Sequence, residues 1–339
     1  MTIQQHSHFH IPEQSNNPEG NPRRVGYELE FAGLDLQQVS DIVAKTLGGK
    51  HQPETQAESK VTVPELGEFV IELDWALGKK VARERAAEKE EGGEHFDDDK
   101  LMEWAMRAAR ELVPVEIVCP PIAIDQLHHL NKMIEPLRKA GALGTDQSLL
   151  YAFGVHLNPE IPDFKPSTLL AWLQAFGLAQ EWLIKAHKVD VARRITPYID
   201  VWPKQYVKEL LQMQPSDVTQ NQLIEHYLKF NPTRNRALDM LPLFRHLNEK
   251  LVMDTVKDGK VNARPTFHYR LPNCEIDEEG WSLAESWNVW CVLETLANEP
   301  ETRQAMAKQW LQYEDKLINL SAPAWHEELT IIQKNLSSA

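Results

Sequence analysis

The chain has 339 residues, 42% of them hydrophobic, which is enough for one large domain or two ordinary ones with a real core. Its formal net charge of -14 excludes a general nucleic-acid or anionic-membrane surface, because either needs a basic field, and it leaves room only for a local basic pocket. Cys119, Cys274 and Cys291 lie in unrelated segments without metal-knuckle spacing, no apolar run approaches the ~20 residues of a membrane span, and the first 22 residues lack a secretory apolar stretch, so a cytoplasmic protein is expected.

In chain order, residues 1–22, rich in His, Gln, Asn and Pro, read as a flexible arm. A strand over 25–31 precedes an amphipathic helix from about Leu36 to Leu47, with Leu36, Val39, Val43 and Leu47 at helical spacing and Gly48-Gly49 closing it. Residues 60–64 and 67–75 read as a hairpin around Leu66-Gly67, and the charged stretch between Lys79 and Asp99 as a solvated, mobile excursion. A helix from about Lys100 to Leu112 leads into a strand from Pro114 to Cys119, which Pro120-Pro121 ends. The next helix carries Ile124, Leu127, Leu130, Ile134 and Leu137 on one face, has Asp125 in its first turn and stops at Gly141. A strand from Ser148 to Asn158 follows.

From Pro166 to about Lys257 the pattern is helical, with Ser167 as N-cap and Pro197, Pro203, Pro215, Pro232 and Pro242 cutting it into short helices, so this block reads as a helical insertion. A strand from Thr266 to Leu271, two closing helices of about Trp281 to Asn298 and Glu301 to Leu317, and a tail over 321–339 complete the chain.

Ionisable residues recur two apart inside these apolar strands. Side chains alternate faces along a strand, so Glu28 and Glu30 share one face while Tyr27, Leu29 and Phe31 share the other. The same rule pairs Glu72 with Asp74, Gly154 with His156 and Asn158, and His268 with Arg270, and sets Glu116 opposite Val115 and Ile117. Strands aligned on those faces would form a floor suited to a divalent cation and a polyphosphate. Each fragment also has a plainer reading. Glu28 and Glu30 fit an edge strand facing water, Glu116 a surface acid or salt bridge, and Glu72 and Asp74 an ordinary hairpin; His156 fits a satisfied core histidine, and Arg270 a partner for acids rather than a holder of phosphate. Asp97, Asp98 and Asp99 read as a solvated charge run, His6, His8 and His10 as part of the arm, and His128-His129 as a polar helix edge. There is no Walker loop, dinucleotide fingerprint, Gly-x-Ser-x-Gly elbow or His-Glu-x-x-His pair, so an ATP enzyme here must grip nucleotide from a sheet through metal.

Taken in order, Gly26-Tyr27-Glu28-Leu29-Glu30-Phe31, then Val115-Glu116-Ile117-Val118-Cys119-Pro120-Pro121 before a helix ending Leu137-Arg138-Lys139-Ala140-Gly141-Ala142, then Gly154-Val155-His156-Leu157-Asn158, then Phe267-His268-Tyr269-Arg270-Leu271-Pro272-Asn273, resemble the amidoligase family. That family groups carboxylate-amine ligases sharing a core with glutamine synthetase and glutamate-cysteine ligase. The resemblance covers about residues 24–160 and 262–297. It implies an α+β fold, mostly antiparallel sheet with helices on one face, with a glutamine synthetase-like catalytic core over 23–160 and 260–320 and a helical insertion over 166–257. It also implies ATP and Mg2+, a substrate carboxylate phosphorylated by ATP, and an amine that displaces the phosphate to leave an amide, including the gamma-glutamyl kind.

Carried over residue by residue, Glu28, Glu30, Glu116 and His156 match metal-binding positions, His156, Asn158 and Arg270 nucleotide-contacting ones, and Arg270 with His268 the catalytic strand. The family's last core strand commonly reads Glu-Phe-Arg, and here His268 replaces that glutamate, which weakens one metal position, retunes it toward Mn2+ or Zn2+, or removes it. The implied partners are small-molecule or peptide carboxylates and amines, with no nucleic acid or membrane and with a homo-oligomer left open. Two rival readings stay in play: a degenerate relative that only binds nucleotide or a partner, and a metal-dependent amide hydrolase. An acyl phosphate must be kept from water, a task for residues 79–99 or part of the insertion as a lid. Arg193 and Arg194 read either as anchors for an acidic substrate or as plain helix surface.

Overall fold

Alternation in Arg24–Phe31 (β1) buries Tyr27, Leu29 and Phe31 and turns Glu28 and Glu30 to the opposite face. The computed structural model describes residues 7–55, 57–73, 114–145, 153–189, 199–315 and 323–338. The expected helix over 100–112, the stretch 79–99, Asp74, Trp75, Arg193, Arg194 and His6 lie outside them. The other strands are β2 (Lys50–Pro53), β3 (Glu58–Val63), β4 (Gly67–Leu73), β5 (Val115–Val118), β6 (Ile122–Ala123), β7 (Val155–Pro159), β8 (Leu238–Asp239) and β9 (His268–Tyr269). They form one nine-stranded sheet in the order β2-β3-β4-β5-β1-β7-β9-β8, with β6 beside β1. Every pairing between these strands is antiparallel. The fold is α+β with ten helices among the described residues.

One face of the sheet is the core. Val61, Phe69, Ile71, Ile117, Val155, Leu157, Phe267 and Tyr269 join the β1 aromatics there, all fully buried. Leu36–Leu47 (α1) packs on β2, β3 and β4; Asp35 and Gln38 close a reciprocal capping box at its start, and Gly48 ends it at φ 72. Asn131–Ala140 (α2) packs on α1. Pro166–Ala186 (α3) is buried on nearly all sides, and its Trp172 stacks on Trp290 of Leu283–Asn298 (α8) and on Phe267 at ring-centroid distances of 5.3 and 4.7 Å. The expected insertion is therefore built into the core at its first helix. Gln174 and Gln180 are buried on α3 because their amides bond backbone of later segments, Leu210 O at 3.1 Å and Trp202 N at 2.9 Å. Lys204–Gln212 (α4), Gln220–Phe230 (α5), Leu241–Leu247 (α6) and Glu249–Thr255 (α7) follow, then α8, Pro300–Glu314 (α9) and Trp325–Ser338 (α10).

Several expectations change. The segment over 124–137 splits into a 3-10 stretch, Ile124–His129, and α2: Ile124, Leu127 and Leu130 recur every third residue, which is the 3-10 period. Ser167 is not the N-cap, because Pro166 opens α3 with its φ already helical and no donor to waste. Inside the helical block, β8 adds a two-residue strand to the sheet edge, too short to leave an alternation. The strand expected over 266–271 keeps only His268 and Tyr269, since Pro265 and Pro272 cannot donate to a ladder. Part of the N-terminal arm lies on α8, where Trp287 Nε1 donates to His10 O at 2.7 Å and Asn288 Nδ2 to His8 O at 2.8 Å. Most of the expected C-terminal tail is α10, whose Trp325, Leu329 and Ile332 are buried against α3 and α8.

Candidate active site

The second sheet face carries the chemistry. Register sets Glu30 opposite Glu116 and Glu28 opposite His156, while Gly26 lies opposite Asn158. Glu72 extends the row beside Glu116, and Glu58 beside Glu72. Leu157 pairs with Tyr269 on the core side, so His268 and Arg270 turn to the polar face, and Asp239 comes opposite His268. Seven strands, β1, β3, β4, β5, β7, β8 and β9, thus contribute to one face, although most of their polar residues lie far apart in sequence.

Above this patch is a cleft of about 260 Å³. Its lining brings together the acids Glu28, Glu30, Glu116 and Asp239, the bases Arg234, Lys260, Arg264 and Arg270, and the imidazoles of His156 and His268. The sequence-predicted residues Glu28, Glu30, Glu116, His156, His268 and Arg270 all line it. Asn158 lies just beneath, and Glu72 lies outside its wall. Asp239, Arg234, Lys260, Asn262 and Arg264 escaped sequence reading because they come from a two-residue strand and two irregular segments that carry no period. The basic spacing of Lys260 and Arg264 in a Gly-, Asn- and Pro-rich turn just before β9 was the one available signal.

Hydrogen bonds hold the acids in place. Glu30 Oε2 accepts from the Gly154 backbone N–H at 3.0 Å, so the glycine expected to leave room also supplies a donor. Glu28 Oε2 meets His156 Nδ1 at 3.0 Å, and its Oε1 accepts from Asn158 Nδ2 at 3.0 Å. Burial raises the cost of ionising Glu28, yet His268, His156 and Arg264 outweigh it and hold its carboxyl well below the usual carboxylate range. Burial, helped by Arg270, pushes the His268 imidazole well below its ordinary value, against the pull of Glu28. Burial lifts Asp239 to about 6 against the pull of Arg270, while its Oδ1 accepts from the Leu241 N–H at 2.9 Å.

Two groups of donors in this cleft have the reach to hold a cation: Glu28, His156 and His268, and Glu30, Glu116 and His156, the ligand atoms of each group lying within 4.8 Å of one another. Carboxylate and imidazole donors at this range fit a divalent ion.

The family model described as "Putative amidoligase enzyme" matches residues 21–292. The chain belongs to that family. The match runs unbroken from just before β1 into α8, so the helical block lies within it as well as the strands. No curated protein and no solved structure matches the chain. Among the described residues no helix is long and apolar enough to cross a membrane.

Proposed function

We propose that this amidoligase is an ATP- and Mg2+-dependent ligase that joins a carboxylate to an amine through an acyl phosphate, on a glutamine synthetase-like core. The observation that carries the reading is one cleft lined both by sheet carboxylates, Glu28, Glu30, Glu116 and Asp239, and by four bases, Arg234, Lys260, Arg264 and Arg270. Acids without a cation repel a polyphosphate. Glu30, Glu116 and His156, with Glu28 beside them, would hold the divalent cation, Mg2+ in this reading, and it would supply the positive charge that offsets the polyphosphate.

Arg270, with Arg234, Lys260 and Arg264, would grip the triphosphate and meet the charge that builds on the transferred phosphoryl group. A substrate carboxylate oxygen attacks the γ-phosphorus and ADP leaves. The amine nitrogen then attacks the acyl carbon, releasing inorganic phosphate and its own proton. His268, beside Arg270, would take that proton. The substrates are a small-molecule or peptide carboxylate and amine, and a gamma-glutamyl product is one member of that class.

The test is ATP turnover by purified protein with Mg2+ and a panel of amino acids and amines. Amide formation matched by ADP release supports the reading. One observation favours a second reading, a relative that binds nucleotide without turnover: His268 stands where the family's glutamate is expected, and it is buried and bonded to Asn158. Tight nucleotide binding with no ADP release under any metal would select it, whereas amide cleavage without nucleotide would select a hydrolase.

A further inference from the structure

A single hydrogen-bond chain runs beneath the cleft: His156 Nδ1 to Glu28 Oε2 at 3.0 Å, Asn158 Nδ2 to Glu28 Oε1 at 3.0 Å, and His268 Nδ1 to Asn158 Oδ1 at 2.6 Å. A carboxylate only accepts, so His156 must donate from Nδ1 and Asn158 from its amide nitrogen. The Asn158 carbonyl is then left to face His268, whose Nδ1 must donate as well. Both imidazoles are fixed as Nδ1–H tautomers with their lone pairs on Nε2. His156 Nε2 lies 3.8 Å from Glu30 Oε1. Each oxygen of Glu28 accepts one of these hydrogen bonds, with Arg264 also 3.9 Å from Oε1.

We propose that Glu28 orients rather than ligates: it holds His156 so that Nε2 joins Glu30 and Glu116 in a mixed nitrogen and oxygen centre, one that favours a first-row transition ion over Mg2+. A carboxylate behind a ligating histidine is the usual means of fixing its tautomer and raising its basicity. The imidazole matters for the choice of ion because Mg2+ keeps to oxygen ligands, while transition ions accept nitrogen. The inference rests on the reading above only in placing a cation in this cleft, and it needs no nucleotide.

The experiment is competition between Mn2+ and Mg2+ for the purified full chain, with pulsed electron paramagnetic resonance of the bound Mn2+ to detect imidazole nitrogen. The wild type is expected to bind Mn2+ at least about tenfold more tightly than Mg2+ and to show nitrogen coupling. In Glu28→Gln the new amide cannot accept from both donors. If it donates to Nδ1, His156 flips to the non-ligating tautomer, the nitrogen signal vanishes, and Mn2+ affinity falls about 10–100-fold. Asn158→Leu leaves the Glu28 and His156 contact in place and is expected to keep the signal. Weaker Mn2+ binding with the signal intact in Glu28→Gln would make Glu28 a ligand and overturn the proposal. So would a silent wild type, or loss of the signal in Asn158→Leu, which would trace the nitrogen to His268. The wild-type measurement decides even if Glu28→Gln fails to fold. Nitrogen coupling without ATP turnover removes only the ligase reading, and Mg2+-driven turnover without coupling removes only this one.

Discussion

Glu30 is the acid whose carboxylate is held by a backbone N–H, faces Glu116 across the ladder and lies near His156 Nε2. Glu30→Ala is expected to abolish metal-dependent ATP turnover while leaving the circular dichroism spectrum unchanged; full activity in that variant would remove the sheet face as the site. A different pair of charges serves the fold. Arg23 and Glu294 are 0% and 1% exposed and meet at 2.7 and 2.8 Å, while Arg23 also donates to Gln14 O and Glu160 O and Trp290 Nε1 donates to Glu294. Every part of that network has a partner, so removing one end strands the other. Glu294→Ala should cost about 3–5 kcal/mol in denaturant unfolding, and double replacement by apolar residues should cost less than the single change.

At the scale of elements, α10 shows what amphipathic burial does. Trp325, Leu329 and Ile332 face the core from one side of the helix, and Leu329→Ala is expected to lower stability by about 2–5 kcal/mol. Its neighbour His326 is also buried, and burial, then the nearby Lys185, pushes its imidazole down to about 4. A histidine harder to protonate in the folded state supports folding above pH ~6.5 and loses that contribution as pH falls toward ~4. Wild type should therefore lose about 2 kcal/mol between pH 7 and pH 5 from this residue alone, and the unfolding curves of His326→Gln should lack that increment.

Long periodic elements were legible in advance. The spacing of Val39 and Val43 and the Gly48 stop place α1 at its observed bounds, and the alternation through Glu28 and Glu30 names the face of β1. What stayed hidden is short or non-local. Two residues of β8 cannot display a period, so Asp239 was out of reach, and Glu160 and Glu294, which hold Arg23, lie far along the chain. The α10 pattern was present but passed over as a tail.

For the whole molecule, the acidic composition and the acid-lined sheet face work together. Glu58, Glu72, Glu116 and Glu30 stand side by side across four strands, a row that a bound cation would relieve. Adding Mn2+ at about a hundredfold excess over its Kd should stabilise the fold by about 2.7 kcal/mol, read as a melting temperature several degrees higher. Glu30→Ala should not show the rise. The residues that line the cleft also differ in how they are held. Glu28, Glu30, Glu116 and His156 sit on interior strands paired on both edges, whereas Arg234, Lys260 and Arg264 sit on connecting segments. Substitution over residues 256–266 would thus leave the strand-borne acids in place while changing which side chains meet them, Arg264 beside Glu28 included. A lineage could exchange one acid or amine for another there without relearning how to make the bond.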